Sequence, residues 1–533
     1  MTSVGEALVA GLKARGVEVV FGIPGVHTVE LYRGLPRSGI RHVTPRHEAG
    51  AGFMADGYAR VSGKPGVAFV ITGPGVTNIL TPMGQARADS VPMLVVSGVN
   101  ARDTLGLGLG HLHELPDQRG MVAKLALLAL RISDAGRVAG ALDQAFAALT
   151  SARGGPVHLE VPIDVMPLPC PALPAATLTA ATLPALAAVP APPQASADLL
   201  HRAAALLAAA RRPVILAGGG ARHAEAALQA LATRIAAPVV QTVNARGLMH
   251  RHPLSVAASP SLEAVRALIG DADLVLAVGT EFGPTDYDMY GRGNLPAPPG
   301  MIRIDIDAAQ LGRRRCGLAL QADAAAALAA LAALVPARHD PAAATRAATA
   351  RTAAWAEIGP AMQHQVAMLA AMRDACPGSI IVGDSTQPVY AGNLCYDHDR
   401  PGGWFNAATG FGALGYGAPA AVGAAIAAPD ATVICLTGDG GLQFSLAELL
   451  TAKDEGLAIS FVVWNNHGYR EIAEAMAAAG AQVLGCNPTP PLFGPLAAAC
   501  GLRFVSVSND PAALGAALAE PVRGPRLIEI RVD

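Results

Sequence analysis

Short runs of β-branched and other apolar residues alternate along the chain with longer stretches in which apolar residues recur at helical spacing. The runs at residues 17–21, 67–71 and 93–97 are rich in Val and other apolar side chains, which is typical of buried strands. Strands that alternate with helices in this way form parallel sheets covered by helices on both faces. The pattern therefore predicts an α/β protein with doubly wound parallel sheets.

Two connector segments divide this alternation into three blocks. Residues 167–194 are rich in Pro, Ala and Thr, and such a segment predicts an extended connector because it cannot build a core of its own. A second connector at residues 336–352 could be helical or loose, and both alternatives stay open. We therefore expect three doubly wound α/β domains, at residues 1–166, 195–335 and 353–533.

Composition narrows the class of protein. The chain has 533 residues, 52% hydrophobic and 15% charged, which excludes a disordered protein, and its net charge of −2 lacks the basic excess of a nucleic-acid binder. No run of about 20 residues is both uncharged and strongly hydrophobic, so we expect no membrane role. The Ala-rich stretch 318–337 contains Asp323, and we expect it to form a soluble helix. Seven scattered cysteines without a CxxC pair, and an N-terminus without a basic signal region, favour the cytoplasm.

The third block contains a pattern that suits a magnesium ion and a diphosphate. An apolar strand ends in a Gly-Asp-Gly-Gly turn around Asp439, and the next strand along the chain ends in Asn-Asn at Asn466. Ligands of open α/β sheets lie at the carboxyl ends of the strands. Mg²⁺ prefers carboxylate, amide and carbonyl oxygens, and glycines let backbone N–H groups approach a diphosphate. An ordinary Asp-Gly turn is the alternative, but it does not explain the combination.

This segment resembles the thiamine-diphosphate motif, and the whole chain is similar to the family of acetohydroxyacid synthase, benzoylformate decarboxylase and pyruvate decarboxylase. The resemblance implies a pyrimidine-binding, a central and a diphosphate-binding domain. It implies that Mg²⁺ is held by Asp439, the Asn466 side chain and the Gly468 carbonyl. The implied contacts to the diphosphate come from Gly438, Gly440, Gly441, Thr386 and Gln387.

The first block contains the sequence RHEAGAGFMADGYAR, which resembles the helix that carries the catalytic glutamate of this family, here Glu48. A carboxylate at that place stabilises the imino tautomer of the cofactor's aminopyrimidine, which removes the proton from C2 of the thiazolium. A glutamate that only faces the positive end of a helix dipole is the alternative. The neighbouring family loops imply further cofactor contacts at Pro74, Asn78, Gly412 and Leu414, with Leu414 as a wedge between the cofactor rings.

In this family the two halves of the site meet across a subunit interface, so the resemblance implies a homodimer or homotetramer. The implied reaction is non-oxidative decarboxylation of a 2-oxo acid through a C2-ylide and an enamine. Protonation then gives an aldehyde, whereas attack on a second 2-oxo acid gives an acetolactate-type carboligation product. His113 stands where synthases have Gln, and a histidine there can donate a proton near neutral pH. Weaker substrate candidates are Val26, His27 and His111.

The most similar pattern is that of the 2-ketoarginine (5-guanidino-2-oxopentanoate) decarboxylases, over the segments around Val26, Glu48 and His113. The chain departs from it after the Asn-Asn motif. There Glu471 or Glu474 could pair with a guanidinium group, since carboxylate and guanidinium form strong paired hydrogen bonds. Solvated helix charges are the alternative, and Arg470 would favour an acidic substrate instead.

The central block has a Gly-Gly-Gly turn at residues 218–220 but not the GxGxxG spacing of a dinucleotide fingerprint. We therefore expect thiamine diphosphate and Mg²⁺ without FAD. Two readings from other classes stay in view: a non-catalytic thiamine-binding homologue, which the presence of Glu48 and Asp439 disfavours, and a flavin or nicotinamide oxidoreductase.

Overall fold

The structure is a computed structural model. It describes residues 2–151, 153–171, 193–289, 291, 293, 298 and 300–532. Most of the predicted connector at 167–194 therefore lies outside the described residues.

The N-terminal sheet has six strands, all parallel, in the order β2-β1-β3-β4-β6-β5. The strands are β1 (Val19–Gly22), β2 (Arg41–Val43), β3 (Gly66–Val70), β4 (Met93–Val99), β5 (Leu128–Arg131) and β6 (Pro156–Pro162). The helices are α1 (Val4–Ala14), α2 (Val29–Gly34), α3 (Glu48–Ser62), α4 (Pro74–Asp89), α5 (Gln118–Val122) and α6 (Val138–Leu149). From β1 the chain adds β2 on one side of the sheet and then β3 and β4 on the other side. The topological switch point therefore lies between β1 and β3.

The central sheet also has six parallel strands, in the order β12-β11-β10-β7-β8-β9, with its switch point between β7 and β10. The strands are β7 (Pro213–Ala217), β8 (Val239–Gln241), β9 (Ser255–Val256), β10 (Leu274–Val278), β11 (Met301–Asp305) and β12 (Leu318–Gln321). The helices are α7 (Ala197–Ala209), α8 (Glu225–Ile235), α9 (Glu263–Gly270), α10 (Pro284–Tyr287), α11 (Ala308–Gly312) and α12 (Ala324–Leu334).

The C-terminal sheet repeats the design in the order β14-β13-β15-β16-β18-β17, with its switch point between β13 and β15. The strands are β13 (Ile380–Gly383), β14 (Trp404–Asn406), β15 (Val433–Gly438), β16 (Ile459–Asn465), β17 (Arg503–Ser508) and β18 (Arg526–Arg531). The helices are α13 (Pro341–Ala375), α14 (Gln387–Leu394), α15 (Gly417–Ala427), α16 (Asp439–Leu442), α17 (Glu448–Asp454), α18 (Arg470–Ala478), α19 (Phe493–Ala499) and α20 (Pro511–Ala519). These three sheets confirm the predicted fold class.

The Ala-rich stretch 318–337 is not one helix, so that prediction was wrong. Its first residues form β12, which pairs with β11 and buries Leu318 and Leu320, while Ala319 and Gln321 stay exposed. Asp323 then accepts a hydrogen bond from Ala326 N and begins α12. Alanine favours helix, but burial of the alternate leucines at the sheet edge outweighs that preference here.

The connector at 336–352 is helical from Pro341, as part of α13. Ala343 and Ala347 pack into the central domain's core, whereas Met368 and Leu369 pack into the C-terminal core. Gly359 interrupts the helix with φ 74°, a left-handed conformation that glycine adopts without strain. One interrupted helix thus links two cores.

The N-terminal and C-terminal domains pack through α3 and α15, which cross at very short range. A Cβ on Gly57 would lie 2.0 Å from the carbonyl oxygen of Ala420, and one on Gly423 would lie 1.9 Å from that of Met54. Both positions therefore need glycine. Among the described helices, none is both long and apolar enough to cross a membrane.

Candidate active site

The C-terminal site residues gather at the switch point of their sheet. Asp439 follows β15 directly, Thr386 and Gln387 follow β13, and Asn466 follows β16. A switch point leaves a crevice because the connections on its two sides run in opposite directions. The strand order therefore brings these residues together.

Three oxygens converge in this crevice. The amide oxygen of Asn466 faces the carbonyl oxygen of Gly468 at 2.9 Å and Asp439 Oδ1 at 3.1 Å. The amide nitrogen donates to Gln387 Oε1 at 3.0 Å, and the buried Asp439 Oδ2 has no hydrogen-bond partner in the described chain. Oxygens at such separations repel one another. Either a cation lies among them, or the Asn466 amide is turned so that its nitrogen donates to both.

The residues fit a magnesium ion. An octahedral shell with metal–oxygen distances of about 2.0–2.1 Å places adjacent ligand oxygens about 2.9 Å apart. The observed separations of 2.9 and 3.1 Å match that edge. Burial raises the pKa of Asp439, although backbone N–H groups oppose the shift, and a cation would favour its ionised form.

Glu48 is the first residue of α3 and is half-buried. Its Oε2 accepts a hydrogen bond from Asn78 Nδ2 at 3.0 Å. Asn78 is the fifth residue of α4, which begins at Pro74 after Gly73 with a positive φ of 66°. The glutamate thus stands on one helix and its amide partner on another.

Glu448, which the sequence reasoning missed, holds the backbone that leads into Glu48. Its buried carboxylate, on α17 of the C-terminal domain, accepts from Arg46 N at 3.0 Å and from His47 N at 3.2 Å. A Cβ on Gly50 would lie 2.2 Å from Glu448 Oε1. An acidic residue before a helix is too common a signal to reveal this partner.

The loop that carries Gly412 and Leu414 is anchored to the N-terminal domain. Tyr416 donates to Asp56 at 2.6 Å, and Thr409 donates to Asp89 at 3.0 Å. Leu414 itself keeps 36% of its surface exposed. Buried polar contacts therefore hold both ends of a loop that presents an apolar side chain.

His27 and His113 lie side by side in the N-terminal domain. Their ring centroids are 5.2 Å apart, and the Nδ1 atom of each is buried without a partner in the described chain. Burial, and then the proximity of His113, lowers the pKa of His27. His113 has a left-handed backbone (φ 59°), and a Cβ on Gly73 would lie 2.6 Å from its carbonyl oxygen. The conformation of the loop at His113 thus depends on glycine at position 73.

Gln118 was also missed by the sequence reasoning. Its amide is buried, and the oxygen accepts from Thr72 Oγ1 at 2.7 Å and from Gly73 N at 3.1 Å. Its nitrogen donates to Gly98 O at 2.9 Å and to Glu160 Oε2 at 3.1 Å. A buried amide with all these partners fixes the turn in front of α4.

The remaining substrate candidates have exposed side chains, and we call this set of residues the rim of the proposed site. Val26 is 72% exposed, His111 is exposed, and no residue of α18 is buried. Partial burial, followed by repulsion from Glu474, raises the pKa of Glu471. The two glutamates therefore stand close enough to influence each other.

Three sequence profiles of one family match the chain in order. They are the N-terminal TPP binding domain (residues 2–121), the central domain (200–331) and the C-terminal TPP binding domain (384–530) of thiamine pyrophosphate enzymes. The chain is 44% identical over 503 residues to the probable 2-ketoarginine decarboxylase AruI of Pseudomonas aeruginosa, covering 93% of this chain and 88% of that protein.

The chain belongs to the thiamine pyrophosphate enzyme family. It is also 32% identical over 559 residues to the acetolactate synthase isozyme 1 large subunit of Escherichia coli, covering 99% of this chain and 93% of that one. The chloroplastic acetolactate synthase of Arabidopsis thaliana is 29% identical over 487 residues, covering 86% and 69%.

In this thiamine pyrophosphate enzyme, the structure brings the predicted residues together in three groups. Asp439, Asn466 and Gly468 lie with Gln387, Glu48 lies with Asn78, and His27 lies with His113. Within the described part of one chain, no recorded hydrogen bond or ion pair joins the Glu48 group to the Asp439 group.

The central domain of the enzyme has a cavity of about 500 Å³ at its own switch point. The turns after β7 and β10 face each other there, and a Cβ on Gly218 would lie 2.3 Å from the carbonyl oxygen of Gly279. The lining includes Asp286, for which burial raises the pKa to about 6. The expectation that FAD does not bind stays a prediction.

Proposed function

We propose that the protein catalyses the thiamine-diphosphate- and Mg²⁺-dependent, non-oxidative decarboxylation of a 2-oxo acid. The observation that carries the proposal is the three-oxygen set of Asp439, Asn466 and Gly468 at the end of β15 and β16. The 44% identity to a probable 2-ketoarginine decarboxylase supports the choice of reaction.

In this proposal Asp439, Asn466 and Gly468 hold Mg²⁺. Backbone groups at Gly438, Gly440 and Gly441 and the side chains of Thr386 and Gln387 hold the diphosphate. The bound cofactor supplies the nucleophilic carbon and the electron sink that decarboxylation of a 2-oxo acid needs. A Cβ on Gly440 would lie 2.5 Å from the Tyr469 ring, which explains why glycine occupies this position.

Glu48 would exchange a proton at a carboxylate oxygen with the pyrimidine of the bound cofactor, and Asn78, which donates to Glu48 Oε2, orients that carboxylate. Glu448 keeps the start of α3 in place, so it acts through Glu48 and is a positioning residue. Leu414 would offer the bound cofactor an apolar contact, and the Gly412 carbonyl would accept a hydrogen bond from it.

His113 would donate the proton that replaces the departing CO₂ on the substrate carbon, so that the 2-oxo acid leaves as an aldehyde. Burial and then the proximity of His113 lower the pKa of His27, so the His27 ring is neutral near pH 7 and adds no positive charge beside its neighbour. Val26 and His111 border the path by which the substrate arrives.

For the substrate, we propose 5-guanidino-2-oxopentanoate. Glu471 and Glu474 carry carboxylates at the rim, and a planar guanidinium group pairs well with a carboxylate. Cation binding would relieve the repulsion between the two glutamates that contributes to the raised pKa of Glu471. The alternative is an acetolactate-type carboligase, which the 32% identity to an acetolactate synthase favours.

A second copy of the chain would complete the site, so we propose a homodimer or a tetramer of two such dimers. Several large apolar side chains that are near the site residues in sequence are more than half exposed in one chain, and an excess of exposed apolar surface is typical of interfaces. These are Val26, Leu107, Leu109, Leu112, Phe444 and Ile472.

The test uses purified protein with thiamine diphosphate and Mg²⁺, given pyruvate and 5-guanidino-2-oxopentanoate separately and together. We expect the guanidino aldehyde and CO₂, with little acetolactate, in product analysis by mass spectrometry. Acetolactate or a mixed ligation product as the main product would move the enzyme to the carboligase branch.

A further inference from the structure

A second, smaller cavity lies where the three domains meet. It measures about 80 Å³, and its walls come from the end of α3, the turn after β7 and the loop before β14. Its charged or titratable lining side chains are three arginines and one histidine: Arg60, Arg222, Arg400 and His223. No carboxylate lines this cavity.

The positive charge of this cavity is only partly balanced. Arg60 forms ion pairs with Asp56 at 2.6 Å and with Asp89 at 2.7 Å. Arg222, by contrast, donates only to His223 Nε2, at 3.1 Å, and Arg400 donates to the carbonyl oxygen of Gly378 at 3.1 Å. Neither of these two has a recorded ion pair in the described chain.

Guanidinium groups stay protonated even when burial disfavours the charge. Burial lowers the pKa of the half-buried Arg222, and the nearby charge of Arg60 lowers it further. The pKa of His223 is lowered by burial and then by Arg222, so its neutral ring accepts from Arg222 near pH 7. Arg222 and Arg400 are partly buried and His223 is exposed, so water screens some of this charge, but neighbouring cations still repel one another unless an anion compensates them.

We propose that this cavity binds a small tetrahedral oxyanion of the phosphate class, and that the bound anion links the three domains. Planar guanidinium donors match phosphate oxygens. One buried water molecule needs about 10–15 Å³ of cavity volume. A cavity of about 80 Å³ has room for several waters and therefore for one phosphate ion. The proposal does not depend on the reaction proposed above.

The anion could be free phosphate or the phosphoryl end of a larger molecule. Arg222 and His223 also line the large central cavity, so a phosphomonoester could extend into it. Inorganic phosphate and glycerol 2-phosphate as separate probes distinguish these sources. Binding of inorganic phosphate alone identifies the free anion, and binding of both identifies a site that also takes phosphomonoesters.

The experiment measures thermal unfolding of the protein saturated with thiamine diphosphate and Mg²⁺, so that the diphosphate site is filled. Phosphate replaces chloride at constant ionic strength. We expect saturating phosphate to raise the midpoint by about 1–3 °C. Titration calorimetry should show affinity at least tenfold weaker in Arg222→Gln and in Arg400→Gln, while the exposed control Arg202→Gln binds as the wild type does.

Each variant is compared with its own midpoint in chloride, so a general loss of stability does not imitate a loss of binding. If one arginine variant fails to fold, the other, from a different domain, still decides the outcome. Equal midpoints in phosphate and chloride for the wild type would overturn the proposal. Undiminished phosphate affinity in both arginine variants would overturn it too.

Discussion

The two ends of the proposed site differ in how far one chain completes them. At the metal end (Asp439, Asn466 and Gly468), Asp439 is fully buried and every ligand oxygen comes from adjacent strand ends of one sheet. At the glutamate end, Glu48 is half-buried. One switch point brings the proposed ligand oxygens together within one chain, whereas in the proposed dimer a second copy would complete the glutamate end.

The largest expected effect comes from the metal end. Asp439→Ala removes the only charged ligand, so we expect the affinity for thiamine diphosphate with Mg²⁺ to fall by more than the about 100-fold typical of outer-shell changes. Fluorescence titration of the cofactor measures it. Asp430→Ala, an exposed aspartate just before β15, is the matched control. Unchanged cofactor affinity in Asp439→Ala would remove the metal end from the proposal.

The next effect separates the two ends. Glu48→Gln keeps the shape of the side chain but not its charge, so we expect cofactor binding to stay within a few-fold while turnover falls by about 10²–10⁴. Exchange of the cofactor C2 proton into deuterated water, followed by NMR, should slow in parallel. Exchange at the wild-type rate would show that Glu48 does not activate the cofactor.

A smaller effect tests how the domains cooperate at the glutamate end. Glu448→Gln leaves one acceptor oxygen for Arg46 N and His47 N but removes the negative charge. We expect about a 10–100-fold loss of kcat with the KM little changed, as is typical when a residue that orients a functional side chain is replaced. If the KM rises instead and C2-proton exchange stays normal, Glu448 serves substrate binding and not the position of Glu48.

The smallest effect concerns the rim. Replacing Glu471 and Glu474 together with Gln should raise the KM for 5-guanidino-2-oxopentanoate by about tenfold. This is the low end of the about 1.5–3 kcal/mol that a charge-assisted hydrogen bond contributes, because both carboxylates are exposed. The KM for pyruvate should not change. Glu225→Gln, an exposed glutamate of the central domain, is the control. An equal rise for both substrates would assign these glutamates a structural role.

Several elements of this protein could be predicted from the sequence because their signals are local. Apolar runs that end in Gly, Asp or Asn mark the carboxyl ends of parallel strands, and they indicated both the fold class and the positions of Asp439 and Asn466. The Glu48 helix was recognisable from a continuous motif. The stretch 318–337 shows the limit of such local signals. Its alanine content predicts a helix throughout, but its first residues form a strand because they pair with β11.

The sequence by itself thus determined the alternation of strands and helices, the family and the metal-binding pattern, since each depends on neighbouring residues and on strand order. Only the tertiary structure showed that Glu448 holds the start of the Glu48 helix, that Gln118 fixes the turn at Gly73, and that arginines of three domains share one cavity. The partners in these contacts come from distant segments. Their proximity follows from how sheets and domains pack, and common residues such as Glu, Gln and Arg carry no local mark of it.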